Sequence, residues 1–211
     1  MIIAIDGPAA SGKGTIARGV ANELRLKHLD SGLFYRAYTD LTAELDLIPE
    51  NQTASYLASK FDSLDEETLR DEYHATKAAH VATDPVVRER ITDAIRIYAD
   101  NVTLFSSGIV IDGRDIGTVV FPSADAKLFV TANVEARAKR RFDELAIRGR
   151  SASLAEVADD LARRDERDAN RISAPLRQAP DALVLDNSAL DRNQSIAEAL
   201  RLIRGKVGRK I

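Results

Sequence analysis

Short apolar runs recur along the chain and are separated by longer stretches with a helical pattern. The runs are rich in Ile, Val and Leu and do not alternate with polar residues, which is typical of strands buried on both faces of a parallel sheet. They predict strands at residues 2–5, 26–29, 108–112, 126–130 and 182–186. Because helical patterns lie between the strands, the sequence predicts a doubly wound α/β fold.

Helix start signals mark several of the intervening helices. Asp84 and Pro85 combine an aspartate N-cap with a proline at the first helical position, which favours a helix start. Ser153 and Glu156 have the spacing of a capping box. The predicted helices cover about residues 13–24, a stretch from 85 onward, a stretch from 154 onward, and 195–204. Two segments fall outside the alternation, 40–105, which is mostly helical, and 136–175, which is dense in arginine.

Composition narrows the class of protein. The chain has 211 residues, of which 45% are apolar and 30% charged, as in an ordinary globular domain. Its net charge of −3 gives no overall attraction to nucleic acid or to an anionic membrane, so we expect neither as a partner. The chain has no cysteine, which excludes disulfides, thiolate metal sites and cysteine nucleophiles. The apolar start is too short for a signal peptide, and we expect a cytoplasmic location.

The loop after the first predicted strand reads GPAASGK and fits the phosphate-binding pattern G-x-x-x-x-G-K between a strand and a helix. Its glycines let successive backbone N–H groups face an anion, and the following helix adds its N-terminal dipole. Lys13 supplies a point charge for the β- and γ-phosphates of a nucleoside triphosphate. The expected ATP-binding residues form the phosphate loop (residues 7–15): Gly7, Pro8, Ala9, Ala10, Ser11, Gly12, Lys13, Gly14 and Thr15.

The residue after Lys13 departs from the usual pattern. A Ser or Thr that touches Mg²⁺ is common there, but this chain has Gly14, and the hydroxyl comes one residue later, at Thr15. We therefore expect phosphates and water to hold most of the Mg²⁺ coordination. Asp112 ends a central predicted strand, where ligands gather in open α/β sheets, and is the candidate to orient the metal's water shell. The alternative is that Asp112 only caps a turn.

Four blocks of the sequence together resemble bacterial cytidylate kinases, which belong to the P-loop nucleoside monophosphate (NMP) kinases. They are the phosphate loop with its GKGT, LDSGLFYRA (29–37), DGRDIGTVVFP (112–122) and RRDERDANRISAPLRQAPDALVLDNS (163–188). The resemblance implies a P-loop NTPase-type parallel five-stranded sheet flanked by helices. It also implies a core of residues 1–30, 106–135 and 176–211, an NMP-binding region at about 31–105, and a mobile lid at about 136–175.

The resemblance implies transfer of the γ-phosphoryl group of ATP, with Mg²⁺, to CMP or dCMP, and we expect a monomer. Because the acceptor phosphate is already nucleophilic, catalysis is mostly positioning and charge neutralisation, which guanidinium groups perform well. By resemblance, Arg36, Arg114 and Arg171 hold the CMP phosphate. Arg88 and Asp115 bind the edge of the cytosine base, and Arg164 and Asp168 bind the sugar hydroxyls. Ser31 and Tyr35 line the acceptor pocket.

The spacing of the arginine-rich block agrees in part with these roles. Arg164, Asp168 and Arg171 follow i, i+4, i+7, so they share one face if the helix continues through them. The alternative is a set of exposed ion pairs, and we expect surface solvation for the neighbouring Arg163, Asp165 and Arg167.

A second basic segment, residues 135–150, follows the fourth predicted strand, where the family has its lid. It carries Arg137, Lys139, Arg140, Arg141, Arg148 and Arg150. A basic lid could close over ATP, neutralise charge and exclude water, although many of these residues would simply form a charged helix surface. We expect Arg137 and Arg140 to act in catalysis together with Lys13, Arg114 and Arg171.

Some questions stay open at this point. Residues 58–85 are predicted helical where many family members carry a small β-sheet insert, and Ala79 stands where a serine commonly contacts the base. A kinase with broader or different base preference (UMP/CMP or AMP) is therefore an alternative. A nucleotide-binding switch such as a GTPase is another, but the chain has no Asn-Lys-x-Asp element. His28, His74 and His80 lack metal-ligand spacing, and we expect structural or surface roles for them.

Overall fold

The computed structural model describes residues 1–147, 149–171 and 173–208. It contains the predicted parallel sheet, with strands in the order β2-β3-β1-β4-β5. The strands are β1 (Ile2–Asp6), β2 (Lys27–Asp30), β3 (Ile109–Gly113), β4 (Ala126–Thr131) and β5 (Leu183–Asp186). Arg148 and Ile172, two positions of the predicted lid, lie outside the described residues, as do residues 209–211.

The register brings the carboxyl ends of the central strands together. Asp6, the last residue of β1, is paired with Gly113 of β3 on one side and with Phe129 of β4 on the other. On the outer side of β3, Asp30 of β2 is paired with Asp112. The polar residues that end these strands therefore lie at one edge of the sheet, where open α/β folds bind ligands.

Helices cover both faces of the sheet and build the two segments outside the alternation. The 21-residue α7 is the longest of them. The described helices are α1 (Lys13–Leu24), α2 (Gly32–Asp40), α3 (Thr42–Leu45), α4 (Thr53–Lys60), α5 (Glu66–Leu69), α6 (Glu72–Val81), α7 (Pro85–Phe105), α8 (Val134–Ile147), α9 (Leu154–Ala169) and α10 (Arg192–Val207), with a π-helical turn at Ile116–Val120. None of them is long and apolar enough to span a membrane.

The core explains why the strand sequences do not alternate. Ile3 and Ile5 point to the face covered by α1 and α10, whereas Ala4 between them belongs to the cluster on the other face. That second cluster contains side chains of α2 and α7, including Phe34 and Ile91. Both faces of β1 are covered, so every position of this strand except its first is buried.

Two helix boundaries differ from the sequence-based expectation. The last helix begins at Arg192 rather than at residue 195, because Asp191 and Gln194 form a capping box. Helix α9 ends at Ala169, so the condition on which Arg164, Asp168 and Arg171 would share one helical face is not met. The stretch 58–85 is helical, as predicted, with no strand among its residues.

Candidate active site

The phosphate loop connects β1 to α1 and has the shape of an anion-binding nest. Gly7 cannot carry a side chain, because a Cβ there would lie 2.1 Å from the carbonyl oxygen of Val130. Gly12 has a φ of 85°, a left-handed conformation that favours glycine, and it directly precedes the first residue of α1. The N-terminus of α1, with Thr15 in its first turn, is thus aimed at the loop, where a phosphate is stabilised by the helix dipole.

Lys13 is buried and uses the loop itself as its partner. Its Nζ donates a hydrogen bond to the carbonyl oxygen of Pro8 at 3.2 Å. Burial, followed by the nearby positive charge of Arg114, lowers the pKa of Lys13 to about 7, against the opposing effect of Asp112. A bound anion would therefore stabilise the charged form of Lys13.

We expect triphosphate binding to be linked to proton uptake by Lys13. The charged lysine is the form that binds phosphate, and its pKa of about 7 means that it loses its proton as the pH rises above 7. Affinity for ATP should then fall by about tenfold per pH unit until the pKa of the bound lysine is reached. Titration calorimetry between pH 7.5 and 9, in buffers of different ionisation enthalpy, measures the uptake. An affinity independent of pH would contradict this linkage.

Asp112 lies near the carboxyl end of the central strand β3, as the sequence predicts, and the fold brings it beside the phosphate loop. A Cβ added to Gly14 would be 3.5 Å from Asp112 Oδ1, an ordinary contact distance. On its other side, Asp112 Oδ2 is 2.7 Å from Nε2 of His28. His28 was expected to be a structural or surface residue, and the structure shows that it contacts a carboxylate of the candidate site.

The oxygen donors at this point fit a hydrated magnesium ion. Mg²⁺ prefers oxygen ligands and keeps several waters, which suits one or two carboxylates plus substrate phosphates. Among the described residues, no group of three or more His, Cys, Asp or Glu side chains is placed to hold a metal. A cation beside Asp112 and Thr15 would therefore take most of its ligands from the nucleotide and water.

Arg88 and Asp115 form a buried ion pair beside Tyr35. Arg88 Nη2 donates to Asp115 Oδ2 at 2.6 Å, and Nη1 donates to the carbonyl oxygen of Ala82 at 3.3 Å. The ring of Tyr35 lies 5.5 Å from this guanidinium. Burial raises the pKa of Asp115 while Arg88 opposes the shift, and burial raises the pKa of Tyr35 to about 12.

Arg114 pairs with α9 and acts electrostatically on Lys13 of the phosphate loop. Its Nε donates to Asp168 Oδ2 at 3.0 Å. Its positive charge contributes to lowering the pKa of Lys13, and after burial it is the strongest influence lowering the pKa of Arg164. Arg171 lies just beyond α9, with its Nε 3.4 Å from the backbone oxygen of Asp168, and burial followed by the proximity of Arg88 lowers its pKa. So many neighbouring cations favour a bound polyanion.

Ser31 and Arg36 occupy the start and middle of α2. Ser31 is buried, its backbone N–H donates to the carbonyl oxygen of Asp112 at 3.0 Å, and its Oγ packs so tightly that a Cβ on Gly113 would lie 2.5 Å away. Arg36 Nη1 donates to the carbonyl oxygen of Leu69 at 2.8 Å, which places this guanidinium against the end of α5. The structure thus brings Ser31 to the sheet edge and Arg36 to the helical region beside it.

Arg137 holds the tip of the phosphate loop. Its Nη1 donates to the carbonyl oxygen of Ala9 at 3.2 Å and pairs with Asp165, and its Nε donates to the carbonyl oxygen of Ala132. Asp165 also accepts a hydrogen bond from the backbone N–H of Ala9 at 3.3 Å. The expectation of surface solvation for Asp165 is therefore wrong, because this carboxylate links α9 to the loop.

Arg140 lies at the other side of the loop. Its Nη1 donates to Asn187 Oδ1 at 3.0 Å and its Nη2 to the backbone oxygen of Asn187 at 2.6 Å. Asn187 follows β5 and was not singled out from the sequence, although it stands in the quoted block. Asp6 was also missed. Its carboxylate accepts the N–H groups of Ile116 and Gly117, and burial raises its pKa to about 6.

Comparison with known proteins identifies relatives over nearly the whole chain. A family profile described as "Cytidylate kinase" matches residues 3–205. The protein named cytidylate kinase from Azorhizobium caulinodans is 46% identical over 205 residues, covering 96% of this chain and 98% of the relative. The protein named cytidylate kinase from Paramagnetospirillum magneticum is 48% identical over 208 residues, covering 97% of this chain and 98% of the relative. A crystal structure of an uncharacterized protein from Eubacterium ventriosum shares the fold, with a TM-score of 0.59 and 12% identity over 96% of this chain and 98% of that chain.

Proposed function

Because the chain belongs to the cytidylate kinase family, we propose that the residues at this sheet edge carry out its phosphoryl transfer from ATP to CMP or dCMP. The enzyme is a phosphotransferase whose products are ADP and CDP or dCDP. The division of labour proposed below assigns ATP to the phosphate loop and the acceptor nucleotide to the arginines around Arg88 and Arg114.

On the ATP side, the phosphate loop surrounds the β- and γ-phosphates with backbone N–H groups. Lys13 leaves the carbonyl oxygen of Pro8 and takes the phosphates as its partner, which restores a favourable environment for its charge. Mg²⁺, when bound, would neutralise charge between the β- and γ-phosphates, with Asp112 and Thr15 contacting its water ligands. Thr15 compensates in part for the missing hydroxyl at Gly14.

On the acceptor side, Arg114 and Arg171 hold the CMP phosphate in line with the γ-phosphate, with Arg36 joining them from α2. Because Arg114 lies between Lys13 and α9, its guanidinium is placed to contact both the donor and the acceptor phosphates. No protein base is required, because the acceptor phosphate is already ionised at neutral pH. Catalysis then comes from alignment and from neutralising charge that would otherwise keep the two nucleotides apart.

The base and the sugar have their own groups. The buried Arg88–Asp115 pair offers both donors and acceptors, which is what the mixed edge of cytosine requires, and Tyr35 packs beside it. Asp168 and Arg164 on α9 face the sugar hydroxyls. Arg137 and Arg140 neutralise charge from the lid side, and we propose residues 136–175 as the lid and 31–105 as the acceptor-binding region of a monomeric enzyme.

One observation carries this assignment. Within the described part of the chain, the buried side-chain polar atoms without a hydrogen-bond partner are Ser11 Oγ, Arg88 Nε and Arg171 Nη2. Buried donors are nearly always paired in folded proteins, so unpaired ones need an explanation. All three belong to residues assigned to nucleotide binding, on both the donor and the acceptor sides. Their distribution supports a site that is completed by two ligands.

An assay of ADP release with Mg-ATP and a panel of acceptors tests the function. We expect turnover with CMP and dCMP, and a kcat/KM for UMP that is lower by about 10²-fold or more, because a site built to pair one base edge leaves its buried groups unpaired with another. AMP and a no-acceptor control should give background rates. Comparable turnover with UMP would show that base reading is relaxed, consistent with Ala79. The absence of turnover with every acceptor would contradict the proposed transfer.

A further inference from the structure

Asn187 is fixed in place by its own backbone. It follows β5 directly and is 2% exposed. Its N–H donates to the carbonyl oxygen of Thr131 at 2.9 Å, and its carbonyl oxygen accepts from the N–H of Leu190 at 3.1 Å. These two bonds tie the residue to the end of β4 and to the turn before α10, so its side chain leaves the sheet from a rigid point.

The side-chain amide of Asn187 has one possible orientation. Its Nδ2 donates to the carbonyl oxygen of Ser11 at 2.9 Å, and its Oδ1 accepts from Arg140 Nη1 at 3.0 Å. A carbonyl oxygen can only accept and a guanidinium can only donate, so reversing the amide would break both bonds. The residue therefore matches two partners of opposite kind, one in the phosphate loop and one on α8.

This amide lies against the turn that aims the phosphate loop. A Cβ on Gly12 would be 3.2 Å from Asn187 Nδ2 and 3.9 Å from Arg140 Nη1. Gly12 has the left-handed backbone conformation of the loop and precedes Lys13. A bond to the carbonyl of Ser11 fixes the peptide plane between Ser11 and Gly12, and with it the direction of the N–H group that follows.

We propose that Asn187 is a positioning residue for ATP, which sets the peptide plane of the phosphate loop at Ser11–Gly12 and connects it to Arg140 of α8. Arg140 donates to both oxygen atoms of Asn187, since its Nη2 also donates to the backbone oxygen of this residue at 2.6 Å. The path runs from α8 through one guanidinium and one amide to the loop. This inference rests on the proposed role of the phosphate loop, and it concerns the donor nucleotide only.

Replacing Asn187 with aspartate tests the donor bond with the smallest change of shape. The carboxylate keeps an acceptor for Arg140 but faces the carbonyl oxygen of Ser11 with an oxygen instead of an N–H, so the two repel. We expect the KM for ATP and the Kd of a fluorescent ATP analogue to rise by about tenfold, the usual size of losing a buried bond and leaving its partner unpaired. The KM for CMP should be unchanged. Asn187→Ser, which is too short to reach Ser11, should show the same selective rise and replaces the aspartate variant if that one fails to fold.

Asn193→Asp is the matched control, because Asn193 is an exposed asparagine in the first turn of α10 and receives the same chemical change. It should leave both constants unchanged. An unchanged KM for ATP in both Asn187 variants would overturn the proposal, and so would an equal rise in the constants for ATP and CMP with a lower Tm, because that pattern shows a structural role only. The Kd measurement needs no turnover, so it tests Asn187 even if the acceptor assay contradicts the proposed transfer.

Discussion

Replacing Lys13 with methionine should lower kcat by about 10²–10³-fold, the size of effect expected when one preorganised charge is removed from a transition state. Its ammonium group is the only side-chain cation within the phosphate loop. Lys13 is also the first residue of α1, whose N-terminus faces the proposed phosphate site. Methionine keeps the length of the apolar stem, so the change removes the charge and little else. Steady-state kinetics with ATP and CMP at pH 7 measure the loss.

The same substitution should leave the unliganded protein at least as stable as the native one. Burial and the charge of Arg114 lower the pKa of Lys13 to about 7, which means that folding disfavours the charged lysine. An apolar side chain of similar size avoids that cost. Thermal unfolding should therefore show an unchanged or higher Tm without ligand and a smaller rise in Tm on adding ATP.

Lys139→Met is the control for this experiment. Lys139 is an exposed lysine on α8 whose Nζ lies 3.4 Å from Asp143, so its replacement removes the same charge at a distance from the loop. We expect its kinetics and its response to ATP to match the native enzyme. If Lys13→Met retained native kcat, or if Lys139→Met lost as much kcat as Lys13→Met, the phosphate role assigned to Lys13 would be wrong.

The sheet could be predicted from the sequence because burial on both faces leaves a direct signature. Residues 2–5 and 109–111 are apolar at every position, and the predicted runs 2–5 and 108–112 each became a strand within one residue of the predicted bounds. The order of the strands has no such signature, because it depends on which helices cross which face. The placement of β3 between β2 and β1 is therefore a result of the structure alone.

The contacts at the site that the sequence did not predict were missed for one physical reason. His28 meets Asp112 across 84 residues, Asp165 meets Ala9 across 156, and Asn187 meets Ser11 across 176. Each contact depends on the lateral order of strands and on the packing of α8 and α9 against the loop, neither of which has a local pattern. The phosphate loop was predictable because its glycines, its lysine and the start of the following helix lie within nine consecutive residues.

A helical spacing of residues does not by itself show where the helix ends. The i, i+4, i+7 spacing of Arg164, Asp168 and Arg171 suggested one helical face, but α9 ends at Ala169. Arg171 nevertheless remains close, since the chain turns and its Nε stays within 3.4 Å of the backbone oxygen of Asp168. The three side chains are assembled by a helix end and a turn instead of by helical periodicity.

Replacing Arg114 with alanine should lower kcat/KM for CMP by about 10³-fold, with a higher KM for CMP and a lower kcat together. This guanidinium affects Lys13 on the donor side and binds Asp168 on the acceptor side, so its loss weakens binding and alignment at once. Arg114→Lys should recover only part of the rate, because an ammonium keeps the charge without the planar fork. Arg163→Ala on α9, an exposed arginine 3.7 Å from Asp160, should behave as the native enzyme.

The pairing of Arg114 with Asp168 allows the electrostatic part of this loss to be separated. Once Arg114 is removed, the partly buried carboxylate of Asp168, which we assign to the sugar hydroxyls, loses its 3.0 Å partner, and its negative charge repels the CMP phosphate held nearby. Adding Asp168→Asn to Arg114→Ala should therefore recover about tenfold of the lost kcat/KM, a coupling of the size seen between residues in contact. If the double variant is no better than Arg114→Ala alone, repulsion by Asp168 contributes nothing, and the loss belongs to the missing phosphate contact. If Arg114→Ala itself leaves CMP kinetics unchanged, Arg114 does not hold the acceptor phosphate.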